Sequence, residues 1–195
     1  RLAKPELVEH ADGYRADAER LSRWRVPFDG VLSGGNPRSI AGVPSALADL
    51  RRDPDRVDEL VDCCSSPDPI VRMRAADALE KFARERPELV AVRLDRLHTV
   101  LGDTDQPSLL WHLAQLYGEL PLTDVQAERA VRWLCHQLDH SGDWIVLNCS
   151  LDSLAVLARR DPSVVPLLRP RLKHHAAGSL KSVAKRAGRL LAGFA

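Results

Sequence analysis

An internal recurrence constrains this chain more than any other feature. Laid over residues 143–165, the segment 68–90 matches at Asp68/Asp143, Ile70/Ile145, Val71/Val146, Asp77/Asp152, Leu79/Leu154, Ala83/Ala158, Arg84/Arg159, Pro87/Pro162 and Val90/Val165. Self-similarity of this kind marks folds in which one small unit cannot bury its apolar face alone and must stack on its neighbours. A stack is chiefly a surface for holding something, so the recurrence bears on function as well as on fold.

Proline and apolar spacing show what the unit is. Asp53-Pro54, Ser66-Pro67-Asp68-Pro69, Arg86-Pro87, Gln106-Pro107, Leu120-Pro121 and Asp161-Pro162 put proline near helix starts, where its missing N–H costs nothing. Thr123-Asp124 reads as a cap before Val125. Between these marks apolar residues recur at helical spacing, as in Val57, Leu60, Val61 and Cys64, or Val71, Ala75, Leu79, Phe82 and Ala83. No segment shows convincing strand alternation. The expected helices are 54–64 and 68–85, 88–101 and 106–119, 123–139 and 143–160, then 162–173 and 178–193. Second helices starting near 68, 106, 143 and 179 are spaced by 38, 37 and 36 residues.

Two helices per unit at a period in the high thirties is the pattern of an α-solenoid. The expected fold is all-α, a right-handed superhelix of about four helical pairs (54–86, 87–121, 122–160 and 161–195) in one continuous domain. Residues 1–53 are expected to form an N-terminal helical cap and a Gly-rich connector, with helices at 6–24 and 46–52. The run Gly30-Val31-Leu32-Ser33-Gly34-Gly35-Asn36-Pro37-Arg38 reads as a loop. It follows no strand and has no Lys-Ser/Thr after its glycines, so neither a phosphate loop nor a dinucleotide fingerprint applies.

The motif Asp68-Pro69-x-Val71-Arg72-x-x-Ala75-Ala76-x-Ala78-Leu79 resembles the second-helix signature of HEAT repeats, within the wider armadillo-type superhelix. The match is strongest over 54–86, fair over 122–160 and carried mainly by phase over 161–195. In 87–121, Leu109-Leu110 stands where the family has Val-Arg. The resemblance covers residues 54–195 and implies a non-catalytic scaffold that binds a protein or peptide on its second helices. Arg72, the motif arginine, is expected to brace neighbouring units through a carboxylate.

Helical phase then separates core from surface. If Val71, Ala75, Leu79 and Phe82 face inward, Ile70, Arg74, Asp77 and Lys81 lie on the other side. Carried along the units, one column reads Arg74, His112, Cys149, Lys185 and the next Asp77, Gln115, Asp152, Gly188. Met73, Trp111, Asn148 and Ala184 border the core. The candidate binding residues are therefore Arg74, Asp77, Trp111, His112, Gln115, Asn148, Asp152 and Lys185, a varied polar ladder beside an aromatic ring.

Composition excludes little but directs the alternatives. Hydrophobic residues at 45% and charged residues at 28% fit an ordinary soluble protein, and the formal charge of +1 makes no global case for nucleic acid or membrane. That total hides an asymmetry. No acidic residue follows Asp161, so the last 34 residues carry +7 through Arg169, Arg171, Lys173, Lys181, Lys185, Arg186 and Arg189, against −6 for the first 161. A basic end is either a solvated cap or a phosphate-binding face. With Trp111 and Trp144 it gives the alternative function, nucleic-acid binding of the kind found in HEAT-like DNA glycosylases.

Catalysis has weaker support. His136 and His140 stand one turn apart on one helical face, but two ligands alone make a weak metal site. HEAT-type iron hydroxylases carry His-Glu pairs, and this chain has no His-Glu dipeptide. Chromophore lyases with HEAT-like repeats are a third class, with no residue here to identify their site. No catalytic residue, cofactor or metal is expected. Cys63, Cys64, Cys135 and Cys149 lack CxxC spacing and read as small buried apolar groups. No run is long enough to span a bilayer. Arg1 is not an initiator Met, so a leader or tag can precede it, and the cytoplasm is the default expectation.

Overall fold

The computed structural model describes residues 26–36 and 39–194. All regular structure among them is helical. Eleven α-helices follow in order: α1 (Phe28–Leu32), α2 (Val43–Arg52), α3 (Val57–Cys63), α4 (Pro69–Glu85), α5 (Pro87–Ala91), α6 (Leu94–Gly102), α7 (Pro107–Glu119), α8 (Asp124–His140), α9 (Trp144–Arg160), α10 (Val165–Ala176) and α11 (Lys181–Ala192). Short 3-10 turns at Pro54–Arg56 and Pro162–Val164 lead into α3 and α10.

Helix starts follow local chemistry. Pro69, Pro87 and Pro107 stand at first helical positions, as expected. The recurrent Asp68 and Asp143 are both N-caps: Ile70 N donates to Asp68 Oδ1 at 2.8 Å, and Ile145 N to Asp143 Oδ1 at 2.8 Å. Thr123 closes a capping box with Gln126, accepting from the Gln126 backbone at 3.3 Å while its own N–H donates to Gln126 Oε1 at 3.1 Å. Pro121 instead precedes that cap in the connection before α8. Pro170 lies inside α10, where it interrupts the backbone ladder.

Packing follows the order of the units. α3 packs on α4, α6 on α7, α8 on α9 and α10 on α11. The second helices also pack in succession, α4 on α7, α7 on α9 and α9 on α11. Buried apolar side chains from Phe28 to Ala187 form one cluster, with Val71, Ala75, Leu79 and Phe82 fully inside it. Side chains bridge neighbouring units at similar separations. Arg51 pairs with Glu85, Arg93 with Asp58, Arg129 with Asp95 and Arg171 with Asp139.

Close helix approach depends on small residues. A Cβ on Gly118 of α7 would stand 2.7 Å from Ser153 Oγ and 3.2 Å from Ser153 Cα of α9, so any larger residue would turn the hydroxyl away and push the two helices slightly apart.

The expected helices match within a few residues, with three departures. The segment 88–101 is divided into α5 and α6 at Val92 and Arg93, where the Arg93 guanidinium is held by the Leu89 carbonyl at 2.7 Å and by Asp58 at 2.6 Å. Residues 30–32, read as loop, end α1. The helix expected at 46–52 starts earlier, at Val43, and packs on α4 as α4 packs on α7. The helix expected at 6–24 lies outside the described residues.

Candidate functional site

The expected binding residues come from three successive second helices and the last. α4 carries Arg74 and Asp77; α7 carries Trp111, His112 and Gln115; α9 carries Asn148 and Asp152; α11 carries Lys185.

Arg74 does not belong to a surface. It is 0% exposed, the largest fully buried side chain among the described residues. Its Nε donates to Ser39 O at 2.9 Å, one terminal nitrogen to Leu32 O at 2.6 Å and Gly34 O at 2.7 Å, and the other to Asn36 O at 3.0 Å. Helical phase turned Arg74 away from the core of its own unit, but the segment after α1 folds over that side and buries it. The carbonyls of Leu32, Gly34, Asn36 and Ser39 thus form a collar around a cation, the reverse of an anion-binding loop. Gly34 and Gly35 adopt φ of 67° and 73°. Arg72 does brace the next unit, but through an amide rather than a carboxylate: its Nε donates to Gln106 Oε1 at 3.0 Å.

Asp77, His112 and Gln115 do come together. His112 is 5% exposed, and its Nε2 lies 4.0 Å from Asp77 Oδ1. Burial pushes the His112 pKa down to about 4, against the opposing pull of Asp77, so the ring is neutral at pH 7. The Trp111 ring lies 5.7 Å from that of His112, tilted by 60°. Asp77 is paired with Lys81 one turn on. Next to them on α4 and α7, Arg84 pairs with Glu80 and donates to Glu119 at 2.9 Å. Glu80 is 3% exposed, and burial together with the Glu119 charge pushes its pKa up to about 7.

Unpartnered polar atoms set this face apart. Among the described residues, five buried side-chain atoms lack a hydrogen-bond partner: Asp77 Oδ2, His112 Nδ1, Gln115 Oε1, Asn148 Oδ1 and Ser150 Oγ. All five stand on α4, α7 or α9, and four belong to the expected ladder. Each such atom costs about 1–3 kcal/mol, so folded chains rarely gather them. Asn148 itself is 8% exposed. Asp152, by contrast, is satisfied by Arg186 of α11, and Lys185 stands exposed beyond it.

No protein-family model, curated protein or solved structure matches this chain. Geometry and chemistry therefore carry the reading.

Several other features offer little chemistry. Cys149, partly exposed beside Asp152, has its thiol pushed up to about 11 by burial and that charge, so it is protonated at neutral pH. The rings of His136 and His140 stack at 4.2 Å on the exposed side of α8, bordering a cleft of about 540 Å³ with Asp103 and Asp105. Among the described residues, no group of three or more His, Cys, Asp or Glu side chains is placed to hold a metal ion. No described helix is long and apolar enough to cross a membrane.

Sequence reading missed Glu80, Arg84 and Glu119. A signal existed, since Glu80 and Arg84 are one turn apart and Glu119 follows Arg84 by one unit length.

Proposed function

We propose that this chain is a HEAT-like right-handed superhelix whose second helices form a binding face for a protein or peptide, without catalysis. Second helices starting at 69, 107, 144 and 181, each packed on the next, support the superhelical reading. The binding reading rests on one observation, the gathering of unpartnered buried polar atoms on α4, α7 and α9. These atoms are closed to solvent, so a partner that drew their side chains outward and supplied the missing hydrogen bonds would recover part of their cost. Four free cysteines suit a reducing compartment, in keeping with the cytoplasm.

Affinity capture from a native host, followed by hydrogen exchange on the complex, tests this reading. The expected result is a specific protein whose binding slows exchange in α7 and α9. Trp111→Ala and Gln115→Ala should weaken capture while helical circular dichroism is kept. Full retention by both variants would rule the face out.

A second reading has its own observation. Lys173, Lys181, Lys185 and Arg189 are exposed on α10 and α11, and Trp144 is 52% exposed at the start of α9. This arrangement fits a phosphate backbone with a stacking ring. Duplex DNA retention that falls steeply with salt and requires Lys181, Lys185 and Arg189 would support it. Absence of such retention near physiological ionic strength would exclude it.

A further inference from the structure

We propose that the cleft between the α6–α7 connection and the end of α8 binds a linear aliphatic diamine or polyamine. The site lies apart from the ladder of second-helix residues and does not depend on the reading above.

The cleft is open to solvent and holds about 540 Å³, within the usual range of small-molecule sites. Its walls carry Asp103 and Asp105 from the connection, Gln137 and His140 from α8, and the apolar side chains of Leu110 and Trp133. No Lys or Arg lines it. Asp103 and Asp105 are both exposed, and neither carboxylate has an ion-pair or hydrogen-bond partner among the described residues. The rim therefore holds two carboxylates that no protein cation engages.

The deeper wall points the same way. Gln137 is 8% exposed, yet its side-chain amide has no hydrogen-bond partner among the described residues. Its polar atoms are not among those closed to solvent, so a ligand in the cleft can reach the amide. His140 Nδ1 lies 2.9 Å from the His136 carbonyl, which has no proton to give. In the neutral ring Nδ1 is thus the donor, which leaves Nε2 as an acceptor. Gly102 and His140, the last residues of α6 and α8, bring the carbonyl ends of two helices to the cleft.

Acceptors and negative charge together call for a donor-rich cation. A phosphate or carboxylate would meet acceptors of its own sign. A metal ion needs several ligands closing on one point, and no group of three does so among the described residues. A diamine instead carries three N–H donors at each end of a flexible methylene chain. Its two charges match the two free carboxylates, and Leu110 and Trp133 give the methylenes an apolar wall.

The test uses the full chain, with spermidine as the probe and butylamine and Mg²⁺ at matched ionic strength as controls. The amide signals of Asp103 and Asp105 and the His140 ring signals are followed by NMR. Spermidine should shift them saturably, with butylamine at least about fivefold weaker and Mg²⁺ giving no saturable shift. Asp103→Asn and Asp105→Asn, isosteric changes at exposed positions, should each weaken spermidine about threefold with the melting temperature nearly unchanged. Gln137→Met, which keeps the packed stem and removes the amide, should weaken it as well. Glu128→Gln removes a charge from α8 outside the cleft and should leave binding as it was. No saturable shift, equal binding of butylamine or Mg²⁺, or full binding by the double variant of Asp103 and Asp105 would overturn the proposal. Equal weakening by Glu128→Gln would overturn it too, since it would show attraction to the chain's charge at large.

Discussion

The Arg74 guanidinium donates to the carbonyl of Leu32, 42 residues earlier in the chain, at 2.6 Å. Three further carbonyls, of Gly34, Asn36 and Ser39, complete the collar. Arg74→Ala would remove all four hydrogen bonds, leave the buried Leu32 carbonyl without its donor and empty the space of the largest fully buried side chain among the described residues. Chemical denaturation should show a loss of about 4 kcal/mol or more. Arg74→Lys should recover only part of it, because an ammonium cannot reach four carbonyls from a planar fork.

Gly42 tests the same region through the backbone. It precedes α2 with φ of 84°, and a Cβ there would stand 2.2 Å from Val31 O. Gly42→Ala should cost at least about 2 kcal/mol, since both the left-handed conformation and the contact oppose it. Gly34 has φ of 67°, but a Cβ there meets nothing within 4 Å. Gly34→Asn should therefore be close to neutral, as Asn tolerates that conformation. Thermal melts of the two variants make the comparison.

Glu80 and His112 should give opposite pH slopes. Glu80 has its folded pKa pushed up to about 7, so the folded state holds its proton more tightly. Its contribution is present below the unfolded carboxylate pKa and is lost as pH rises toward 7. His112 has its folded pKa pushed down to about 4, so the unfolded state binds the proton more readily. Its contribution is present above the unfolded imidazole pKa and is lost as pH falls toward 4. The two slopes offset each other across the overlapping window. Glu80→Gln should make stability rise with pH there, and His112→Gln should make it fall, as measured by urea midpoints at several pH values.

The two repeat-related caps should differ in strength. Asp143 Oδ1 accepts from both Ile145 N and Val146 N, at 2.8 and 3.0 Å, whereas Asp68 accepts from Ile70 N alone. Asp143→Ala should thus cost more than Asp68→Ala, within the range of about 0.5–2 kcal/mol for such caps. Denaturation of both variants under one condition settles the order.

Most helices were legible because proline and the capping residues mark their starts and apolar spacing fills their interiors. Pro69, Pro87 and Pro107 needed no tertiary information to be placed. Arg74 was misread because helical phase reports only which side of α4 it occupies, not that the backbone of Leu32, Gly34, Asn36 and Ser39 folds over that side. The break between α5 and α6 was also hidden, since it depends on Arg93 reaching Asp58 of the preceding unit. Asp77, His112 and Gln115 were legible as a cluster from the unit length. Their missing hydrogen bonds were not, because a lack of partners is a property of the packed state alone.

The bridges between units also bear on how the chain acquires its shape. The longest side-chain hydrogen bonds among the described residues reach 42 positions along the sequence, and the bridging ion pairs reach about one unit. Among the described residues, no bond of this kind must wait for the distant end of the chain. During synthesis, each unit can close onto its predecessor as soon as its own residues emerge, so assembly can run in step with translation.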